Sequence, residues 1–444
     1  MRYAAALAYL ETIQGETCKL SLENIQRVID RAPFAAGAVR FVQVAGTNGK
    51  GSVCHFIAAI LGCAGQRVGL FTSPHIEDVR ERIRVDGRPL SRAEFARSVG
   101  AVSALAERLR DANEIASLPT FFETLFLAAL HHFARVKVDW AVLEVGLGGR
   151  LDATSTVRPE VTVITSIALD HMNVLGTTLA AIAAEKAGIA RAGVPLVCGC
   201  PPRSVASRVI RAMARRRRAP LLEVFAAPRR LDIEKTGRGY SCRYAVNSHE
   251  YRFRVPQRGR HQAVNAAIAV AAVDALVERG WKIGASAVRC GTRSMFIPAR
   301  LERLAGRPAI ILDGAHNSAG VRALVEYLRE ENLRGFTLVF GVLQDKAYPA
   351  MARQLAPLAG SVVLTEPVSA RALAPEKLRR YFPGRECRVE RDPARALEVA
   401  KIFKRTIIVC GSLYLVGAVR AAARGCRGGK QHGRKKVPGN RRPV

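Results

Sequence analysis

The sequence predicts an α/β protein in which mostly parallel sheets are covered by helices. Three observations carry this prediction. Short β-rich runs alternate with stretches whose apolar residues recur at helical spacing. The strand-like runs are almost continuously apolar, which is typical of parallel strands buried on both faces. After a polar, turn-rich interruption the alternation restarts, so the 444 residues are predicted to form two domains.

The first domain is predicted to span residues 1–296. Because Glu11 soon interrupts an Ala-rich stretch, we expect an amphipathic helix at the N-terminus. Helical spacing over Ser52–Gly62 and Phe121–Phe133 predicts two further helices. The predicted strands of the parallel sheet are Phe41–Ala45, Val68–Phe71, Asp139–Val145, Val161–Ile167 and Pro195–Cys198.

The alternation of strands and helices weakens after Ala226. There we expect antiparallel strands at Tyr240–Val246 and Tyr251–Val255. A helix over Gln262–Glu278 then leads to a hinge near Phe296–Pro298.

Residues 297–424 are predicted to form a smaller, Rossmann-like α/β domain, and residues 425–444 a basic, disordered tail. The predicted strands of the second domain are Ala309–Leu312, Thr337–Phe340, Val362–Thr365 and Ile407–Cys410.

Composition narrows the class of protein. No run approaches the ~18 to 20 apolar residues of a membrane span, and the N-terminus does not resemble a secretory signal. We therefore expect a cytoplasmic protein without a membrane partner, and a monomer. Ten cysteines include no C-x-x-C pair, so we expect reduced, partly buried thiols.

The net charge of +32 is the least usual bulk property. Basic residues cluster at Arg211, at Arg215–Arg218 and in the tail. A basic tail can hold nucleic acid non-specifically through counterion release. No RNA-recognition signature accompanies the charge, so we favour a general drift towards arginine and expect no nucleic-acid partner.

The heptapeptide Gly46–Ser52, GTNGKGS, follows a predicted strand and opens a predicted helix. In that context successive backbone N–H groups and a helix N-terminus hold phosphate oxygens. The glycines let the backbone approach a ligand, Lys50 adds a positive charge and Ser52 can face a metal. The spacing departs from the strict Walker pattern, but the loop still predicts a nucleotide phosphate site.

Polar residues follow three other predicted strands. Ser73 comes after Val68–Phe71, Glu144 lies at the end of Asp139–Val145, and Asp170 and His171 follow Val161–Ile167. Because the carboxyl ends of parallel strands meet at one edge, these groups should lie beside the phosphate loop. A hydroxyl, a carboxylate and an imidazole there suit Mg²⁺ beside a triphosphate.

These motifs resemble those of folylpolyglutamate synthase and dihydrofolate synthase, in the Mur-ligase superfamily. The similar stretches in the first domain are VAGTNGKGS, FTSPH, VLEVGLGGRLDAT, ALDHMNVLG and AAEKAGI. Those in the second are PARLE, LDGAHN and CGSLYLVG. The resemblance runs from about Leu20 to Gly417.

The resemblance implies ATP and Mg²⁺ as cofactors and four sets of site residues. The implied nucleotide-binding residues are Asn48, Gly49, Lys50, Gly51, Ser52, Asn265, Arg300 and Asp313. The implied metal ligands are Ser73, Glu144, His171 and Lys186, the last as a carbamate. The implied catalytic residues are Lys50, His171, Lys186 and Arg300. The implied substrate-binding residues are Thr120, Phe121, Phe122, Glu123, Leu151, Asp152, Ala153, His316 and Ser412.

The implied reaction joins L-glutamate to the carboxylate of dihydropteroate, of reduced folates, or of both, through an acyl phosphate. Three positions depart from the family pattern. Ser155 stands where the family usually has Asn, Ser318 where it has Pro, and Ala347 where it has an acid. Two alternatives stay open: a peptidoglycan-precursor ligase of the same superfamily, and a nucleic-acid-binding P-loop protein.

Overall fold

The computed structural model describes residues 1–13, 21–32, 39–227 and 229–428. The described residues form a large first domain, a smaller second domain, and an antiparallel sheet attached to the first. The last helix ends at Gly428, which is four residues into the segment predicted as a tail. Residues 429–444 lie outside the described residues, so the disorder of the tail stays a prediction.

The first domain is built on an eight-stranded sheet in the order β4-β3-β2-β5-β1-β6-β7-β8. Strands β2, β5, β1, β6, β7 and β8 are parallel, and β3 and β4 add an antiparallel edge. The strands are β1 (Arg40–Ala45), β2 (Val68–Phe71), β3 (Ile83–Val85), β4 (Arg88–Pro89), β5 (Trp140–Glu144), β6 (Pro159–Ile164), β7 (Leu196–Cys198) and β8 (Leu221–Glu223).

Helices cover both faces of this sheet, which explains why strands such as β5 are buried at every position. One core lies under α1, α4 and α5, and the other under α3, α9 and α10. The helices are α1 (Tyr3–Thr12), α2 (Glu23–Asp30), α3 (Lys50–Cys63), α4 (Arg92–Asp111), α5 (Phe121–Arg135), α6 (Met172–Leu175), α7 (Leu179–Ala187), α8 (Val205–Arg216), α9 (Arg260–Val277) and α10 (Ala285–Ser294).

The expected antiparallel strands are confirmed, and they belong to a three-stranded sheet in the order β11-β10-β9. Its strands are β9 (Arg230–Thr236), β10 (Gly239–Val246) and β11 (His249–Val255). Alternate residues of β10 and β11 are buried against α9, as the two-residue period of a half-buried strand requires. Strand β9 is not among the strands predicted from the sequence.

Residues 295–301 connect α10 to the second domain, and the predicted boundary at residues 296 and 297 falls in this connection. The second sheet has the order β12-β13-β17-β14-β15-β16, parallel except for the edge strand β12. Its strands are β12 (Glu302–Leu304), β13 (Ile310–Leu312), β14 (Phe336–Phe340), β15 (Ala359–Leu364), β16 (Glu386–Val389) and β17 (Ile407–Cys410). Its helices are α11 (Ser318–Glu330), α12 (Tyr348–Leu355), α13 (Pro393–Ile402) and α14 (Leu413–Gly428).

The predicted fold class is therefore confirmed, and every strand predicted from the sequence is present with ends shifted by at most a few residues. The strands missed are short or lie at sheet edges, where few apolar residues are needed. No described helix is both long and apolar enough to cross a membrane.

The expectation for the cysteines needs a correction. Cys63 and Cys290 form a disulfide that joins the end of α3 to α10. The two helices pack closely because Gly291 leaves no side chain against the backbone of Ile60. The partners are 227 residues apart in sequence, so their spacing could not indicate the pair. The remaining cysteines whose side chains are described are free, and most are buried, as expected.

Candidate active site

The phosphate loop leaves β1 and enters α3, and its backbone is held by the residues that follow β6. The N–H of Thr47 donates to the carbonyl of Ser166 (2.7 Å), and the hydroxyl of Thr165 donates to the carbonyl of Asn48 (2.7 Å). Gly49 has a φ of +86°, and a side chain there would strike the Asn265 amide. The loop is therefore a preformed cradle at the uncapped N-terminus of α3.

Glu144 ends β5 directly beside this loop and is buried. Its Oε2 accepts a hydrogen bond from the N–H of Ser73, which follows β2 (2.9 Å). Burial raises the pKa of Glu144, while the charge of nearby Lys50 opposes the rise. A buried carboxylate with one backbone donor retains lone pairs for a metal ion, and the metal-binding role of Glu144 stays a prediction.

His171 and Lys186 complete this edge of the sheet. His171 follows β6 and adopts a left-handed conformation with a φ of 49°. Burial, followed by the charge of Lys346, lowers the pKa of the His171 imidazole and so favours the neutral form, whose free ring nitrogen can bind a metal. Burial, assisted by the charge of Lys50, lowers the pKa of Lys186 to about 7. A substantial fraction of Lys186 is thus an uncharged amine near neutral pH.

The second domain contributes Arg300 from the connection that precedes β12. Ala299 and Leu301 flank it in left-handed conformations, with φ values of 56° and 50°. Asp313 holds this turn, because its carboxylate accepts hydrogen bonds from the N–H groups of Leu301 (3.0 Å) and Ala315 (2.9 Å). Asp313 therefore positions Arg300 as well as lining the cavity.

Asp170 joins the two domains at the centre of the cleft. It accepts hydrogen bonds from the ammonium of Lys346 (2.7 Å) and from the amide of Asn317 (2.9 Å). Asn317 also exchanges two amide hydrogen bonds with Asn48 of the phosphate loop (2.9 and 3.1 Å). Burial alone would raise the pKa of Asp170, but Lys346, His171 and His316 together hold it below its usual range.

A cavity of about 320 Å³ lies between the phosphate loop and the second domain. It is lined by all the residues predicted to bind nucleotide or metal. From the first domain these are Asn48, Gly49, Lys50, Gly51, Ser52, Ser73, Glu144, His171, Lys186 and Asn265. From the second domain they are Arg300 and Asp313.

A second cavity, of about 450 Å³, opens beside the first. Its more apolar wall contains Phe121 and Phe122 at the start of α5, with Arg82 stacked 5.1 Å from the Phe121 ring centroid. All residues predicted to bind the substrate line this cavity. They are Thr120, Phe121, Phe122, Glu123, Leu151, Asp152, Ala153, His316 and Ser412.

Some of these residues also have a clear structural task. Thr120 and Glu123 form a capping box at the N-terminus of α5. Asp152 accepts hydrogen bonds from the N–H groups of Gly146 and Leu147 (2.9 and 3.0 Å) and from Thr154. Its oxygens are therefore occupied by protein donors, and it shapes the wall of the cavity.

Three residues of the cleft, Lys346, Asn317 and Arg82, are not among the site residues predicted from the sequence. Asn317 lies in the motif LDGAHN beside His316, and that proximity was the available signal. Nothing in the local sequence of Lys346 indicates that it reaches Asp170, because the contact crosses from one domain to the other.

The three departures from the family pattern lie outside the linings of both cavities. The hydroxyl of Ser155 donates to the carbonyl of Gly149 (2.6 Å) and accepts from the amide of Gln43 (2.9 Å). Ser318 accepts from the Gln354 amide at the start of α11 (2.9 Å). The hydroxyls of Ser155 and Ser318 are thus satisfied by local hydrogen bonds, and nothing in the structure explains Ala347.

Comparison with known families agrees with this geometry. Residues 44–273 match the Mur ligase middle domain, and residues 299–413 match the glutamate ligase domain of Mur ligases. The unmatched residues between the two segments include α10 and the first part of the connection to the second domain.

Curated relatives are similar over most of the chain. A dihydrofolate synthase/folylpolyglutamate synthase of Bacillus subtilis is 35% identical over 410 residues, covering 90% of this chain and 94% of that protein. A probable bifunctional folylpolyglutamate synthase/dihydropteroate synthase of Haloferax volcanii is 36% identical over 435 residues, covering 95% of this chain. The chain spans only 50% of the length of the Haloferax protein.

Solved structures extend the likeness to three dimensions. The folylpolyglutamate synthase of Mycobacterium tuberculosis, complexed with ADP, has a TM-score of 0.87 at 32% identity, covering 95% of this chain and 99% of that one. The Yersinia pestis folylpolyglutamate synthase/dihydrofolate synthase, complexed with AMPPNP and Mn, has a TM-score of 0.83 at 31% identity, covering 96% and 98%. The resemblance found in the sequence is confirmed, and the chain belongs to the folylpolyglutamate synthase/dihydrofolate synthase family of Mur ligases.

Proposed function

We propose that this protein is an ATP-dependent ligase that joins L-glutamate to the carboxylate of a folate-type substrate. The acceptor is dihydropteroate, giving dihydrofolate, or a reduced folate such as tetrahydrofolate, giving its polyglutamates. The observation that carries the proposal is the meeting of the two cavities. Both cavities are lined by Ser73, His171, His316 and Leu413. Two ligands, one in each cavity, could therefore bring their reactive ends together beside these residues.

The smaller cavity suits ATP as the phosphoryl donor. The loop Gly46–Ser52 offers backbone donors at a helix N-terminus, and Lys50 supplies a positive charge. Arg300 faces the same space from the second domain. Two cations on opposite sides stabilise the charge that spreads over the phosphoryl oxygens during transfer.

The residues present also fit a divalent metal such as Mg²⁺. Ser73, Glu144 and His171 would hold it, together with Lys186 if that residue is carbamylated. Carbamylation requires an uncharged amine, and the lowered pKa of Lys186, about 7, provides one near neutral pH. When bound, the metal would neutralise phosphate charge and orient the phosphoryl group for transfer.

The larger cavity suits a flat aromatic acceptor with a carboxylate at one end. Phe121 and Phe122 supply an apolar wall, and Arg82, Lys346 and Arg371 supply positive charge at its polar edges. His316 and Ser412 lie on the side where L-glutamate would enter. Burial lowers the pKa of His316 to about 4, so its imidazole is neutral and adds no charge there.

The chemistry follows from this placement. A carboxylate is a poor acyl donor, so its oxygen attacks the γ-phosphorus of ATP and ADP leaves, which yields an acyl phosphate. The amine of L-glutamate then attacks the carbonyl carbon, and inorganic phosphate leaves as the amide forms. The chain contributes by aligning the reactants and neutralising charge, and no side chain acts as a covalent nucleophile.

The cross-domain contacts of Asp170 support a closed arrangement during the reaction. Lys346 and Asn317 hold the second domain against the phosphate loop, which keeps Arg300 beside the nucleotide cavity. Closure also limits the access of water, which would hydrolyse an acyl phosphate.

Glutamate-dependent phosphate release tests the proposal. The protein, ATP and Mg²⁺ are assayed with dihydropteroate and, separately, with tetrahydrofolate, with and without L-glutamate. We expect release that requires L-glutamate with at least one acceptor, and the ratio of the two rates assigns the acceptor. If neither acceptor supports glutamate-dependent release, the ligase proposal fails. A UDP-sugar peptide acceptor is the control for a peptidoglycan-precursor ligase, and we expect no release with it.

We also infer a monomeric, cytoplasmic enzyme whose partners are small molecules. The support for a monomer is that residues of one chain line both cavities and supply every proposed ligand-binding group. Size-exclusion chromatography with light scattering tests this inference, and a stable oligomer at assay concentration would contradict it.

A further inference from the structure

Three potential metal ligands meet on the side of the first domain where the β10–β11 hairpin packs against the end of α9. His249 begins β11, Asp274 lies in the last turn of α9, and Glu278 directly follows that helix. One ligand atom from each residue lies within 4.8 Å of the other two. None of the three lines the nucleotide or the substrate cavity.

We propose that His249, Asp274 and Glu278 form a second metal site, which binds a divalent transition-metal ion of the zinc type. The ligands would be His249 Nδ1, one carboxylate oxygen of Asp274 and one of Glu278, with water in the fourth position. One imidazole nitrogen with two carboxylate oxygens is a donor set that zinc accepts in proteins.

The distances between the ligand atoms suit such an ion. His249 Nδ1 lies 2.8 Å from Asp274 Oδ1 and 3.6 Å from Glu278 Oε1. Two ligands of a tetrahedral zinc ion, each bonded at about 2.0–2.1 Å, lie about 3.3 Å apart. The observed separations fall on either side of that value, so small side-chain rotations would bring the three ligand atoms to the separations of a tetrahedral site.

Asp274 is held in position by further donors, as metal-binding carboxylates usually are. The hydroxyl of Tyr251 donates to Oδ1 (2.8 Å), and the amide of Asn247 donates to Oδ2 (2.7 Å). Asp274 is fully buried, whereas the side chains of His249 and Glu278 are 40% and 48% exposed. The site thus combines one fixed ligand with two accessible ones and an open path for the ion.

The charge around the cluster also favours a cation. Among the described residues, neither Asp274 nor Glu278 forms an ion pair with a lysine or an arginine. Other carboxylates of the chain, such as Glu223, Asp170 and Glu302, do have a lysine or an arginine as an ion-pair partner. Two neighbouring carboxylates with only an imidazole beside them leave negative charge that a divalent ion would balance.

The ion would act on the fold and not on the reaction. It would tie the β10–β11 hairpin to the far end of α9, whose first turns present Gln262 and Asn265 to the nucleotide cavity. A ligand that binds only the folded protein raises its stability in proportion to its occupancy. We therefore expect zinc to raise the melting temperature without being required for turnover.

Calorimetric titration of the full-length protein with ZnCl₂, in an excess of Mg²⁺ to occupy the proposed catalytic metal site, tests the proposal. We expect the wild type to bind one equivalent of zinc more than Glu278→Gln and His249→Ala, which alter exposed ligands and should fold. Tyr251→Phe should weaken binding at this site about tenfold, because it removes a donor that orients Asp274. Glu107→Gln, an equal charge change at an exposed position of α4, should behave like the wild type.

Thermal unfolding gives an independent measurement. Zinc should raise the melting temperature of the wild type and of Glu107→Gln, but not that of Glu278→Gln or His249→Ala. Equal zinc stoichiometry and equal melting shifts in all four proteins would overturn the proposal. In that case the cluster is only a hydrogen-bonded clamp between the hairpin and α9.

Discussion

The two walls of the cleft hold their polar groups in different ways. On the first-domain wall, the phosphate loop and Glu144 are fixed by neighbouring strand ends of one sheet, through bonds such as Ser73 N–H to Glu144 (2.9 Å). On the second-domain wall, Lys346 and Asn317 owe their position to Asp170, a residue of the opposite domain. The first wall is built within one domain, and the second is completed only when the domains meet.

This difference separates two tasks. A wall fixed within one domain can bind nucleotide whether or not the second domain is docked. The second-domain wall is completed by contacts across the cleft, so Arg300 reaches its place only when the two domains close. This wall can therefore respond to whether ligands occupy the cleft. Changes in the phosphate loop of the first wall should therefore reduce turnover with little effect on stability, whereas changes at the junction should affect both.

The largest effect on turnover is expected from a change in the phosphate loop of the first wall. Lys50→Ala should lower kcat by about 100-fold or more, because it removes a positive charge from the transferring phosphoryl group. The melting temperature should change little, because the Lys50 ammonium donates a single hydrogen bond among the described residues, to the carbonyl of Thr47 (3.3 Å), and its attraction to Glu144 is offset by its repulsion of Lys186. Lys282→Ala, an exposed position before α10, is the matched control. Unchanged turnover in Lys50→Ala would exclude the loop from the mechanism.

At the junction, Lys346→Met should lower the free energy of unfolding by about 3 kcal/mol, because it leaves the buried carboxylate of Asp170 without its cation. Turnover should fall as well, since Asn317 and Arg300 depend on the same contact between domains. Urea unfolding and kcat measure the two effects. The double variant Asp170→Asn/Lys346→Met should recover part of the stability. Strictly additive losses would show that the two residues are not coupled.

A smaller effect tests the burial of Lys186 on the first wall. Burial lowers the pKa of Lys186 to about 7, whereas an unfolded lysine titrates near 10.4. Between these values the unfolded chain binds more protons, so stability should rise with pH. From pH 7 to pH 9 the wild type should gain about 2 kcal/mol relative to Lys186→Met, in metal-free and CO₂-free buffer. Parallel pH profiles of the two proteins would contradict the lowered pKa.

The smallest effect on turnover is expected for removal of the basic tail. A chain that ends at Gly428 should keep kcat within about twofold of the full-length value, because the described residues that line the two cavities all lie at or before Tyr414. Steady-state kinetics of both chains at one salt concentration provides the measurement. A large loss of turnover would show that the tail is part of the enzyme.

Much of the first wall was predictable from the sequence, because its signals are local. The phosphate loop is one contiguous segment with glycines where the backbone turns and a lysine where charge is needed. Ser73, Glu144 and His171 could be grouped because each ends or follows a buried strand, and parallel strands end at one edge. Lys186 and most of the substrate-binding residues were found only through the resemblance to a family, since composition and periodicity do not distinguish them.

What escaped prediction depends on packing between distant segments. The contact of Lys346 with Asp170 joins residues 176 positions apart, and the Cys63–Cys290 disulfide joins residues 227 positions apart. No local pattern specifies such pairs. The same holds for the cluster of His249, Asp274 and Glu278, which arises because a hairpin packs on the end of a helix.

The sequence by itself determined the alternation of strands and helices, the phosphate loop and the polar edge of the first sheet. These features follow from hydrophobic periodicity and from backbone geometry within short segments. Only the tertiary structure decided how the second domain sits against that edge, and hence that Asp170 joins Lys346 and Asn317 and that two cavities meet at Ser73 and His316. The physical reason is that side-chain contacts between domains depend on the relative placement of two cores, which no local segment encodes.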